Sequence, residues 1–153
     1  MNKDALTLIT TLSEELMAQL QIVGSVVVIE EEAMVRVQIE TQEPGILIGY
    51  HGRNLEALQL LLGQMVYKKL GNWIRITVSV GDYRERREKQ LQELAQSAAT
   101  RAAEFGEPVV LTELTPAERR IIHLTLQDHA QVMSESEGEG RERRLVIKPR
   151  PQA

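Results

Sequence analysis

The sequence predicts an α+β protein: helices on one face of a three-stranded sheet, then a long helix leading into a second, smaller α+β module. Three observations carry this. Apolar residues fall on alternate positions in AMVRVQIE (Ala33 to Glu40) and in WIRITVSV (Trp73 to Val80), the period of a half-buried strand. Before and between those runs, leucines recur at three- and four-residue spacing, the helical period. The stretch from Tyr83 to Phe105 is a continuous amphipathic pattern whose first third is too charged to bury, which suits a linking helix.

The first helix runs from Asp4 to Gln21, with Leu8, Ile9, Leu12, Leu16 and Leu20 on one stripe, and Gly24 ends it. SVVVIE (Ser25 to Glu30) is a β-branched strand, joined through Glu31-Glu32 to the strand Ala33 to Glu40. Pro44 and Gly45 break that pattern, and Ile46 to Ile48 form a short apolar turn of helix before Gly49 and Gly52. Leu55, Leu58, Leu62, Met65 and Val66 mark a helix that stops at Gly71, and Trp73 to Val80 is the third strand. The spacing predicts Leu91, Leu94, Ala98, Ala102 and Phe105 on the buried side of the long helix. VVL (Val109 to Leu111) is a minimal strand. Thr115, Pro116 and Glu118 then spell a capping box at the start of a helix to about Leu126. HAQVMSES and RRLVIKP read as a hairpin around GEGRE, with His129 in a structural role at its start. The domain boundary is placed near Gly81-Asp82, giving modules 1–81 and 82–153.

Composition narrows the function. The 153 residues include no cysteine, so disulfides, thiolate metal sites and cysteine nucleophiles are excluded. No run approaches the roughly 18 apolar residues of a membrane helix, and acids come too early for a secretory signal, so a cytoplasmic protein without membrane insertion is expected. The net charge of −4 leaves no excess of cations for indiscriminate polyanion binding. Residues 1–81 hold six basic and nine acidic side chains, and residues 106–153 seven and eight, so any phosphate contacts must come from local clusters. Five aromatic residues are too few for a stacking platform of the RNA-recognition-motif kind.

ILIGYHGRNLEAL (Ile46 to Leu58) carries the first chemical motif. A P-loop is excluded, because Arg53-Asn54 follows where Lys-Ser/Thr is required. A dinucleotide fingerprint is excluded by the spacing of Gly45, Gly49 and Gly52. What remains is either a simple turn between helices or a hinge at Gly49-Tyr50-His51-Gly52 whose backbone N–H groups approach a sugar-phosphate chain. Ile48-Gly49-Tyr50-His51-Gly52 resembles the Ile-Gly-x-x-Gly signature of K-homology (KH) domains, and the order of elements is that of the type II, bacterial form. The resemblance implies about four single-stranded nucleotides held between the loop and an apolar groove. Gly49 and Gly52 would admit the backbone, Tyr50, His51 and Arg53 would face phosphates, and Ile48 and Leu55 would line or support the groove. The variable pair Tyr50-His51 carries neither Lys nor Arg. The loop would then depend on backbone N–H groups and Arg53, and the C-terminal module would carry much of the affinity.

The second motif is Arg119-x-x-x-His123, whose i, i+4 spacing puts both side chains on one helix face, with Arg120 expected to point elsewhere. LTPAERRIIHLTLQDHAQV and SESEGEGRERRLVI resemble the R-three-H domain, a fold of helices on a small three-stranded sheet associated with single-stranded nucleic acids. Arg119 would give a bidentate fork to a phosphate, His123 would donate or stack beside it, and Arg141 and Arg143 would extend the basic surface. KH followed by R-three-H resembles the Jag family (SpoIIIJ-associated proteins, also called KhpB), bacterial RNA-binding proteins linked to cell envelope growth and division. Many members carry an N-terminal Jag domain and charged linker ahead of the KH helix with which this sequence begins.

The expected partner is therefore single-stranded RNA, with single-stranded DNA as a second ligand, and the chain is expected to form a homodimer or a heterodimer with another KH protein. The competing expectation is a protein-interaction adapter that engages another KH protein or a division or membrane-insertion factor. No cofactor, metal or catalytic role is expected: His51, His123 and His129 lack the spacing of a zinc site.

Overall fold

Two sheets, each of three strands, organise the chain in the computed structural model, which describes residues 1–152. The molecule divides between Arg84 and Glu85 into two units, each with its own core. The division follows the sheets.

In the first unit the elements are α1 (Lys3–Gln19), β1 (Gly24–Glu30), β2 (Val35–Thr41), α2 (Pro44–Ile48), a 3₁₀ turn (Tyr50–Gly52), α3 (Arg53–Leu70) and β3 (Ile76–Val80). β1 pairs antiparallel with β2, and β2 pairs parallel with β3, with Val35 opposite Ile76 and Ile39 opposite Val80. Alternation puts Val35, Val37 and Ile39 with Ile76, Val78 and Val80 on one buried face, where Ile9, Leu12 and Met17 of α1 and Leu55, Leu62 and Val66 of α3 pack. The core stripe of α1 is thus centred on Ile9, Leu12 and Met17, and Leu16 and Leu20 lie on its shoulder.

β3 starts at Ile76, three residues after the sequence pattern begins. Trp73 is half exposed instead: its ring contacts Tyr67 at 6.2 Å and lies where a Cβ on Gly63 would stand at 3.3 Å. At the far end Arg84 donates from Nε and Nη2 to the Val78 carbonyl (3.0 and 2.7 Å) and from Nη2 to Gln59 Oε1 (2.9 Å). Those bonds tie Arg84 to β3 and α3 within the first unit.

The second unit holds most of α4 (Tyr83–Phe105), then β4 (Val109–Leu111), α5 (Pro116–Leu126), β5 (Val132–Glu137), a 3₁₀ turn (Gly140–Glu142) and β6 (Arg144–Pro149). β6 lies between β4 and β5, antiparallel to both. The buried side of α4 is Leu91, Ala95, Ala98, Ala99 and Ala102, not the line through Leu94 and Phe105, which are exposed. The buried side chains of that helix share one core with Ile122, Leu126, Leu145 and Ile147. α5 starts with both halves of its capping box made: Glu118 N–H to Thr115 Oγ1 (3.2 Å) and Thr115 N–H to Glu118 Oε2 (3.1 Å).

Leu62 is 1% exposed in the middle of the first core. Leu62→Ala is expected to destabilise this unit by about 2–5 kcal/mol, the range for a large-to-small change in a packed core. Urea unfolding followed by fluorescence of Trp73, the one tryptophan of the chain, measures it in the first unit.

Candidate nucleic-acid interface

α2 stops at Gly49, whose φ of 69° and ψ of −173° suit glycine alone, and the space its Cβ would need is filled by the Asn54 amide at 2.5–2.8 Å. Asn54 is placed there because its Nδ2 donates to the Ile46 carbonyl at 2.9 Å, pinning the start of α3 to α2. Gly52 is left-handed (φ 78°), and the Tyr83 ring lies beneath it, 3.1 Å from where a Cβ would be. Asn54 and Tyr83 therefore brace the loop at its two glycines. Gly52 gives the first turn of α3 no side-chain cap, and the Arg53 N–H donates to the Tyr50 carbonyl.

The side chains between the glycines stack on each other. His51, left-handed at φ 51°, lies against Tyr50 with ring centroids 4.0 Å apart and planes 19° from parallel, and Arg53 Cζ sits 5.5 Å from the Tyr50 centroid. The His51 Nδ1 is buried and has no hydrogen-bond partner among the described residues. Tyr50 and Arg53 are the exposed pair of the loop, while His51 is half-buried.

Ile48 and Leu55 are buried beneath the loop and support it from the core. A cleft of about 330 Å³ opens beside them instead, lined by Leu16 and Leu20 of α1, Ile46 of α2, and Asn54, Leu58 and Leu61 of α3. Its walls are almost wholly apolar. These lining residues went unrecognised in the sequence because they come from three helices. The one signal was the surplus width of the leucine stripe in α1, more than a single core face needs.

In the second unit, Arg119, Arg120 and His123 of α5 meet Ser134 and Ser136 of β5 and Arg143 around a concavity of about 530 Å³. β6 register explains Arg143: it is two residues from Leu145, on the face that α5 covers, whereas Arg144 is on the opposite face with Glu137 (3.8 Å). Lys148 is also on that opposite face, bonded to Glu135 (2.7 Å) and Glu137 (3.0 Å), and the Glu135 hydrogen bond followed by that to Glu137 raises its pKa above the ordinary lysine value. Arg120, expected to point away, lines the concavity with Arg119, because the site is wide enough to take side chains about 100° apart on the helix. Arg141 stands exposed on the 3₁₀ turn and is not among the lining residues.

Two contacts orient this site. Arg119 Nη1 donates to the Leu114 carbonyl at 2.7 Å, fixing one edge of the guanidinium, and His123 Nδ1 lies 2.7 Å from Ser134 Oγ. A fork of N–H donors held this way is suited to phosphate oxygens. Among the described residues no three His, Asp or Glu side chains are grouped to hold a metal ion, and no helix is long and apolar enough to cross a membrane.

The fold and these two surfaces define a two-module protein, a type II KH domain followed by an R-three-H domain. Residues 7–80 match the KhpA/KhpB KH domain and residues 89–149 the R-three-H domain. The chain is 40% identical over 113 residues to the RNA-binding protein KhpB of Streptococcus pneumoniae serotype 2 (strain D39 / NCTC 7466), covering 74% of this chain and 34% of that protein. It is 37% identical over 118 residues to the RNA-binding protein KhpB of Clostridium symbiosum (77% and 53%), and 33% over 126 residues to that of Bacillus subtilis strain 168 (81% and 61%). The chain thus spans between about a third and three-fifths of the length of these relatives. The two domain matches and the relatives named KhpB are consistent with a member of the Jag (KhpB) family.

Gly49→Ala is expected to destabilise the first unit by about 1–3 kcal/mol, since both its backbone angles and the Asn54 amide oppose a side chain. Adding Asn54→Ala should recover only the steric part. The two variants compared by thermal unfolding separate backbone strain from crowding.

Proposed function

We propose that this chain is a cytoplasmic, sequence-tolerant, single-stranded RNA-binding protein whose KH and R-three-H modules act in tandem, in RNA-level regulation linked to cell envelope growth or division. The observation that carries the reading is the concavity of Arg119, Arg120, His123 and Arg143, with Ser134 and Ser136 between them. Three guanidiniums facing one hollow, on a chain of net charge −4, concentrate positive charge where phosphates bind. The names of the relatives, all RNA-binding proteins, point the same way. The KH module contributes differently: bases would enter the apolar cleft of Leu16, Leu20, Ile46 and Leu61 while the sugar-phosphate chain passes the GYHG loop, with Tyr50 and Arg53 at its edge. Linkage of the modules raises the effective concentration of the second site once the first is filled, so two modest sites suffice. Catalysis has no part in this reading. Single-stranded DNA is a weaker or equal competitor according to how far the 2′-hydroxyl is read.

A second reading is favoured by the same cleft. Its apolar walls and the exposed Leu60 beside Leu61 also suit an apolar segment of another KH protein or of a second copy, making the chain an adapter or dimer. Size-exclusion chromatography with light scattering, with and without RNA, distinguishes the two. An oligomer indifferent to RNA that is lost in Leu61→Glu supports the adapter, whereas a monomer that shifts only with RNA supports the binder.

Binding of a fluorescent single strand of about 12 nucleotides, followed by anisotropy, is expected to weaken as salt rises. Arg119→Ala should weaken it roughly tenfold and reduce the salt slope by about 0.7, the single-strand increment for one phosphate contact. Gly52→Asp, which sets a carboxylate in a left-handed position against Tyr83, should weaken it further. Undiminished binding in the Gly52→Asp/Arg119→Ala variant would rule the reading out.

A further inference from the structure

Glu118 is the one acidic side chain among the buried residues of the described chain, at 7% exposure, and it immediately precedes Arg119. Its two carboxylate oxygens do different work. Oε2 accepts from the Thr115 N–H at 3.1 Å, closing the capping box. Oε1 accepts from Arg87 Nε of α4 at 2.7 Å, a charge-assisted bond between side chains only 16% and 9% exposed. The capping box alone needs only Oε2, so the Arg87 contact is an addition, made across 31 residues of sequence.

The addition bears on Arg119. Glu118 fixes the backbone of the Leu114–Thr115 turn, Leu114 turns its carbonyl to Arg119 Nη1 at 2.7 Å, and the Arg119 N–H bonds the Thr115 carbonyl at 2.9 Å. The remaining guanidinium donors of Arg119 have no partner among the described residues and face the concavity. We infer that Arg87 is a positioning residue for nucleic-acid binding: through Glu118 and the 114–115 turn it holds the Arg119 fork in the orientation that receives a phosphate. Arg87 touches no ligand in this scheme. Its effect is to remove freedom that Arg119 would otherwise lose on binding.

The inference rests on the reading of the concavity as a phosphate site, and the test separates the two. The same mixed-sequence RNA is titrated by anisotropy against the full chain, the variants Arg87→Met, Arg87→Lys and Arg119→Ala, and the Arg87→Met/Arg119→Ala double variant. Arg87→Met keeps the aliphatic stem and removes the guanidinium. It is expected to weaken binding roughly two- to tenfold, the coupling typical of residues in one network, with partial recovery in Arg87→Lys and no added loss in the Arg119→Ala background. The Nε–Hε signal of Arg119 in nitrogen-labelled protein without RNA should also move in Arg87→Met.

Because a lone buried carboxylate is costly, Arg87→Met is paired with Arg87→Met/Glu118→Gln, which removes both charges and gives the same readouts if the first variant does not fold. Equal loss in both Arg119 backgrounds, or an unmoved Arg119 signal, overturns the inference while leaving the phosphate site standing. Unchanged binding in Arg119→Ala overturns the phosphate site itself, and the positioning role with it.

Discussion

The parallel pairing of β2 with β3 is the constraint on which the first unit depends. Parallel neighbours cannot be joined by a tight turn, so the chain between Thr41 and Ile76 must cross back over the sheet. The crossover is α2, the glycine turn and α3, and the apolar faces of its helices fill the space above Val37 and Val78. The GYHG loop is therefore the corner of an obligatory crossover, fixed at one side by a helix that has just ended and at the other by one that begins. That corner is tight enough to need two left-handed glycines, and tight enough that Asn54 and Tyr83 occupy the space their side chains would take. Rigidity at the loop follows from sheet topology before any ligand is considered.

The second unit reaches a rigid site by another route. Its strands pair antiparallel throughout, with α5 carrying the chain past β6 from β4 to β5, and the orientation of α5 is set at its start. The capping box does that locally, and Glu118 extends it to α4 through Arg87. Arg119 and His123 then inherit their directions from an anchored first turn, while β5 and β6 bring Ser134, Ser136 and Arg143 to the opposite rim through strand register.

Local chemistry made much of this legible in the sequence. Period two gave the strands around Val37 and Val78, period three to four gave α1 and α3, and Thr115-Pro116-Glu118 located the start of α5, because each signal is complete within a few residues. What was not legible involves choices between equally apolar or equally charged neighbours. Ala95 and Ala99 face the core in place of Leu94 and Phe105, a rotation of α4 set by tertiary packing and absent from the pattern. Trp73 leaves the strand because Gly63, ten residues earlier, gives its ring a seat. The apolar cleft joins Leu16, Ile46 and Leu61, none of them near another in sequence, and the Arg87–Glu118 pair joins two helices. Arg120 was misdirected by treating the helix face as a line, when the surface it meets is a broad hollow.

In the proposed reading the two surfaces divide the chemistry of a nucleic acid between them. The first offers one stacked tyrosine, one arginine and an apolar cleft, which suit bases and demand little charge. The second offers three guanidiniums and a histidine around a hollow, which suit phosphates. The acidic total of the chain hides this asymmetry, since Lys148 and Arg144 spend their charge on Glu135 and Glu137 across the far face of the β4–β6–β5 sheet. Arg119, Arg120 and Arg143 line the concavity on the opposite face. In that reading a field directed to one side would draw a polyanion to the concavity without coating the molecule in positive charge, which reconciles phosphate contact with a modestly acidic chain.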